Sequence, residues 1–316
     1  MPAVTPTDTQ SLPVIAEPAG AVRPVEHLAA AVSSFEGAGF PVRRPFPGSL
    51  DSALTDPFLM LDQMGPIEYA PRQALGAPDH PHRGFETVTY LIDGEVEHRD
   101  SHGGGGVIRG GDTQWMTAGS GLVHSEMPTE KMMRDGGLSH GVQLWVNLPR
   151  ADKRAEPRYQ DLSGDKLTLL RNDEDTAIVR LIAGDLAGVK GPGNTYTPIV
   201  LAHATLQPGA RLALEWSREF NALVYALSGT GHVGDAPGRA LRSGQVAALG
   251  AGDVVVVDAD SDADEPLEVL LLGGQPLREP VVSYGPFVMN TKSEIIEAID
   301  DYQAGKMGSI PPRIGR

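Results

Sequence analysis

His80 and His82 stand two residues apart, and 42 residues beyond His82 the same spacing returns in His124 and Glu126. In a β-strand, residues i and i+2 point to the same side, about 7 Å apart. Each pair can therefore aim two ligand atoms at one point. Two facing strands of a small barrel would supply three imidazole nitrogens and one carboxylate oxygen. That set suits a first-row divalent metal, with one or two positions left for water, oxygen or substrate. Without a thiolate the site reads as reactive, since closed structural zinc sites usually use sulfur. Pro81 cannot donate to a ladder, which places the first pair at a strand end or mouth. An isolated His-x-His is usually an ordinary surface feature. Here four strong ligand types form two matched pairs, while the other histidines, at 27, 98, 102, 140, 203 and 232, form no further His-x-His or His-x-Glu.

The elements that must hold these residues follow from composition. The chain has 316 residues, about twice the usual single-domain size, so two domains are expected. Gly 38 and Pro 26 are high and aromatics are only 5%, which suggests many short elements joined by turns. Thr87 to Leu91 alternates and stops at Asp93-Gly94, a favoured hairpin dipeptide. Val142, Leu144, Val146 and Leu148 share one face of a half-buried antiparallel strand. Further strands are predicted over 176–182, 197–206, 221–227, 253–257 and 267–272. Strands this short, at this spacing, argue for an all-β fold of antiparallel sandwiches or barrels. One helix is expected near the end: Thr291 to Glu294 reads as a capping box, Ile295, Ile299 and Tyr302 share a face, and Gly305 marks the stop.

The chain also resembles itself at an offset of 135: residues 80–94 lie over residues 215–229, with Arg, Phe, Tyr and Gly coinciding. A duplicated β-domain would produce this. The second copy has Glu215 and Ser217 where the first has His80 and His82, so only the first domain is expected to bind metal. The polar segment from Asn147 to Arg158, with Pro149 and Pro157, is the expected boundary. The resulting division is a disordered tail over 1–20, a metal-binding domain over 21–149, a metal-free domain over 150–283, and a helix and tail over 284–316.

Several function classes fall away. Cysteine is absent, which removes disulfides, iron–sulfur clusters and cysteine nucleophiles and fits a reducing compartment. The formal charge is −15, with no basic patch, so no direct nucleic-acid partner is expected. No signal peptide and no apolar run of membrane-spanning length stand out, and a soluble, cytoplasmic, monomeric protein is expected. Gly103 to Gly106 lacks the Lys-Ser/Thr of a phosphate loop and reads as a hairpin. The acidic run Asp258 to Glu265 lacks the Gly and Glu of a calcium loop and reads as a solvated turn. Ser120 and Ser125 sit near His124 without a nucleophile elbow. Trp115 and Met116 either line the pocket or pack in the core.

The runs HPHRGFETVTY (80–90) and WMTAGSGLVHSE (115–126) strongly resemble the pirin family, as do FEGAGFPVRRPFPG (35–48), DPFLMLDQMGP (56–66) and PLREPVVSYGPFVMNT (276–291). The resemblance covers roughly residues 33–304. It implies a bicupin, two antiparallel β-barrels of jelly-roll type, with a C-terminal helix packing back on the first domain. By motif position it implies one metal held by His80, His82, His124 and Glu126: iron first, with manganese, nickel, cobalt, copper or zinc as alternatives. It further implies a quercetin 2,3-dioxygenase-type oxidoreductase, cleaving a flavonol with O₂ and releasing carbon monoxide, with Glu126 as the catalytic proton acceptor. The rival implication is a redox-sensing iron protein that contacts a transcription factor or metabolic enzyme.

Overall fold

The computed structural model describes residues 9–312. Nearly all regular structure is β, arranged as two domains that each stack a large sheet on a four-stranded one. The first large sheet runs in the order Arg158–Leu162, Thr113–Thr117, Phe85–Asp93, Gly137–Asn147, Phe58–Tyr69, Phe40–Phe46, Val32–Glu36. Its partner runs Ala77–His82, Leu122–Pro128, Glu95–Asp100, Gly105–Arg109. The second domain repeats the plan with eight strands centred on Ile199–Leu206, Leu267–Gly274 and Asn221–Ser228. Its small sheet runs Arg211–Glu215, Val254–Ala259, Thr230–Val233, Arg239–Arg242. The sheets are open, so the two domains take the double-sheet form of the cupin fold.

The large sheets pack back to back. Val88, Tyr90, Ile92, Val142, Leu144 and Val146 from the first share one buried cluster with Leu223, Tyr225, Leu227, Leu270 and Leu272 from the second. A strand whose two faces are both buried shows no polar alternation, and Phe85–Asp93 is accordingly buried at every position but the last. Its faces differ in chemistry. Val88, Tyr90 and Ile92 face the partner domain, while Thr89 and Leu91 face a cavity inside the first. In the second copy the interior positions are Ala222, Val224 and Ala226, which join an entirely apolar core. Glu215 and Ser217 are exposed there, with buried Trp216 between them.

Sheet membership crosses the expected boundaries. Val25–Ala30, counted with the first domain by sequence, pairs with Gln245–Leu249 of the second. Conversely, Arg158–Leu162, counted with the second, pairs with Thr113–Thr117 of the first. The segment between them holds a short 3-10 turn at Arg150–Asp152. Of the tail expected over 1–20, residues 1–8 lie outside the described residues. From Thr9 onward the chain is held: Val14–Ile15 pairs in parallel with Arg171 and Asn172, and Ile15 is buried in the second core. A lone buried β-branched residue among prolines gives no periodicity from which to read this.

The helix Lys292–Gln303 is capped as its sequence dictates. Thr291 Oγ1 accepts from Glu294 N at 3.3 Å and the Glu294 carboxylate accepts from Asn290 N at 3.2 Å. Ile295 and Ala298 pack with Phe287, Met289, Met307 and Val123, the last from the first domain. Gly84 makes this docking possible: its φ is +87°, and a Cβ there would sit 2.0 Å from Val288 O. Beside it, buried Lys153 donates to Gly84 O, Val288 O and Asn147 Oδ1. No helix among the described residues is long and apolar enough to cross a membrane.

Candidate metal centre

His80 and His82 sit on Ala77–His82, and His124 sits on Leu122–Pro128. These strands are hydrogen-bonded neighbours in one sheet, with His124 directly opposite His80. The expectation of two strands facing each other across a barrel is thus corrected to two adjacent strands. Adjacency brings cross-strand partners to within roughly 5 Å, closer than opposite sheets would allow. One nitrogen from each of the three rings lies within 4.8 Å of the others.

Each ring has one nitrogen engaged behind it. His80 Nδ1 is 2.7 Å from Pro78 O, His82 Nδ1 is 3.4 Å from Pro286 O, and His124 Nδ1 is 2.9 Å from His98 Nε2. With Nδ1 used in this way, Nε2 is the nitrogen left to ligate, a pattern common to metal-binding histidines. His124 Nε2 is buried and has no hydrogen-bond partner. An orphaned buried nitrogen aimed at two other imidazoles is what a metal site predicts, so these residues fit a bound cation. Burial, reinforced by His80, pushes the His82 pKa far below its ordinary value; burial and the neighbouring imidazoles do the same to His124. Neutral rings are the form that binds metal.

Glu126 is not part of the cluster of three. One carboxylate oxygen accepts from Thr89 Oγ1 at 2.8 Å and the other from Gln143 Nε2 at 3.1 Å. The pairing with Ala77–His82 shifts register between His124 and Glu126, and such a bulge re-aims the side chain that follows it. Glu126 still lines the cavity that His80 and His82 line. Trp115 and Met116 are core residues, fully buried and away from that cavity.

Sequence reasoning missed Thr89, Gln143 and His98. Thr89 and Gln143 are polar positions on strands read for their apolar faces, and the strand Glu95–Asp100 that carries His98 is not among those expected from sequence. The alternation His98-Arg99-Asp100 on one side of a strand next to His124 was the available signal. The cavity, about 1360 Å³, is lined mainly by first-domain residues, with Asn221, Pro276 and Arg278 contributed from the second half of the chain. Its inner wall is apolar where Met60, Leu91 and Trp145 meet the histidines, with the Trp145 ring 5.4 Å from that of His82.

Comparison with known proteins agrees with this architecture. The family model Pirin matches residues 39–146, and the model described as the Pirin C-terminal cupin domain matches residues 201–308. A pirin-like protein of Arabidopsis thaliana is 43% identical over 278 residues, covering 86% of both chains. Human pirin is 38% identical over 275 residues, covering 86% of this chain and 90% of its own. A crystal structure of quercetin 2,3-dioxygenase from Acinetobacter baumannii superposes with a TM-score of 0.86. It is 39% identical and covers 92% of this chain and all of the other. With both halves matched in order and the likeness spanning most of the sequence, the chain belongs to the pirin family.

Proposed function

We propose that this protein is a metal-dependent dioxygenase that cleaves a flavonol such as quercetin with O₂ and releases carbon monoxide. The observation that carries the reading is the clustering of His80, His82 and His124, the last with a buried, unpartnered Nε2, beside a cavity that His80, His82 and Glu126 line. A divalent ion held by His80, His82 and His124, iron first among manganese, nickel, cobalt, copper and zinc, would supply Lewis acidity toward a substrate oxygen and, where redox-active, a route to O₂ chemistry. The likeness to quercetin 2,3-dioxygenase from Acinetobacter baumannii supports the substrate class.

The protein's own residues have defined tasks in this reading. Glu126 is the proton acceptor for the flavonol 3-hydroxyl, and it is also the fourth ligand when its carboxylate leaves Thr89 and Gln143. Thr89 and Gln143 are neutral donors that keep the carboxylate in the cavity without pairing it to a fixed cation. Met60, Leu91 and Trp145 give a dry wall against which a flat aromatic substrate can lie.

The test is incubation of metal-loaded protein with quercetin in the presence and absence of oxygen, following the flavonol absorbance and carbon monoxide release. Oxygen-dependent loss of absorbance is expected with at least one of the six metals and not with His82→Ala. No oxygen-dependent loss with any of them overturns the reading.

A further inference from the structure

The three clustered imidazoles differ in what steadies them from behind. His80 and His82 rest on main-chain carbonyls, whereas His124 rests on another side chain, His98, with ring centroids 5.0 Å apart and both residues 1% exposed. His98 belongs to the neighbouring strand Glu95–Asp100, opposite Glu126 in register. Tyr159 packs against the same ring with centroids 4.9 Å apart, its hydroxyl 3.4 Å from the His98 Nε2 that faces His124. Tyr159 comes from Arg158–Leu162, the strand that crosses back from the far side of the domain boundary. His98 itself does not line the large cavity.

A neutral imidazole carries one proton on one of two nitrogens. For His124 to offer its Nε2 lone pair, that proton must sit on Nδ1, where it needs an acceptor in a space closed to solvent. His98 Nε2, 2.9 Å away, is the nitrogen placed to accept it, with the His98 proton then on Nδ1. If His98 is replaced by an apolar side chain, nothing fixes the His124 tautomer, and the ring can turn.

We propose that His98 is a positioning residue that selects the Nδ1–H tautomer of His124 and so holds its Nε2 open to a metal ion, with the Tyr159 ring packed against it. This rests on the metal reading above and extends it to a residue outside the cavity. A carbonyl acceptor cannot be removed by substitution, so His124 is the ligand whose support can be tested by a side-chain change.

The experiment is cobalt(II) titration of metal-stripped protein against a chromogenic chelator, with the visible spectrum of the cobalt form and the unfolding temperature of the metal-free form. His98→Leu is expected to weaken cobalt binding about 10- to 100-fold and to alter the cobalt absorption. His98→Gln, whose amide oxygen can accept from His124 Nδ1, is expected to restore both to near the parent. Parental affinity and spectrum in His98→Leu overturn the inference. Equal weakening in the Leu and Gln variants, matched by equal losses of metal-free stability, also overturns it, because packing alone would then account for the effect. Undiminished cobalt binding by His82→Ala would instead remove the site itself, and the inference with it.

Discussion

Tyr90 and Tyr225 occupy equivalent positions in the two copies and cross the same domain interface in opposite directions. The Tyr90 hydroxyl lies 2.9 Å from His203 Nδ1 in the second domain, and the Tyr225 hydroxyl donates to Gln63 Oε1 in the first at 2.7 Å. Each therefore anchors its phenol in the other half of the molecule. Tyr90→Phe and Tyr225→Phe are each expected to destabilise by about 1–2 kcal/mol, by leaving a buried polar partner unsatisfied. The polar groups involved are separate, so the double variant should show nearly the sum. Denaturant unfolding of the four proteins measures this, and a single variant with unchanged stability would contradict it.

Glu126→Gln separates ligation from proton transfer. Three imidazoles remain, so metal content after purification should stay close to the parent. Flavonol turnover should fall by about 10²- to 10⁴-fold, the usual range for removing a general base. Retained turnover would deny Glu126 the role of proton acceptor. Loss of metal together with turnover would place it in the ligand set first.

Glu86 is a buried carboxyl that the proposed chemistry does not use. It faces the domain seam, accepts from Thr117 Oγ1 at 2.7 Å, and burial pushes its pKa up to about 7. Between the ordinary carboxyl value and that raised one, the folded state binds the proton more tightly than the unfolded state does. Stability from this group is therefore fully present at low pH and is lost as pH rises through about 7. Glu86→Gln keeps an acceptor for Thr117 without the charge. At pH 8 it should raise stability by roughly 1–3 kcal/mol, and by pH 5 the difference should shrink toward zero. Unfolding curves at the two pH values check this; an advantage independent of pH would refute it.

His140 works in the opposite sense. Its Nε2 accepts from Gln63 Nε2 at 2.9 Å, and burial, aided by His203 and Arg43, pushes its pKa down to about 4. The unfolded chain takes up a proton near the ordinary histidine value while the folded chain resists until about 4. Stability should accordingly be present above that ordinary value and fall as pH drops toward 4. For this group alone the loss is on the order of 2 kcal/mol. His140→Gln should flatten that part of the profile when unfolding temperature is followed between pH 7 and pH 4.

The ligand spacing was readable because strand geometry is periodic: two i,i+2 pairs were enough to bring His80, His82 and His124 together. The duplication was readable too, since Tyr90 and Tyr225 share a role that sequence comparison had already aligned. What could not be read was anything set by pairing between distant segments. The bulge that turns Glu126 toward Thr89 and Gln143 arises from how one strand meets two neighbours, and local sequence does not encode it. Phe58–Tyr69 is not legible as a strand because Gly65 and Pro66 interrupt its pattern, although the strand continues through them. His98 belongs to no second His-x-His or His-x-Glu pair, yet its importance lies in what stands across the ladder from it.

The crossing strands have a consequence for synthesis. Val25–Ala30 leaves the ribosome early, but its ladder partner Gln245–Leu249 follows only after most of the chain has been made. Until then an edge of unpaired amides waits in solution, a known invitation to association with other chains. Charge at Glu26 and a bulge between Val25 and His27 are features that discourage such pairing. The sheets of the first domain draw only on residues 32–162, whereas the large sheet of the second gains its last strand only when Gln245–Leu249 reaches Val25–Ala30.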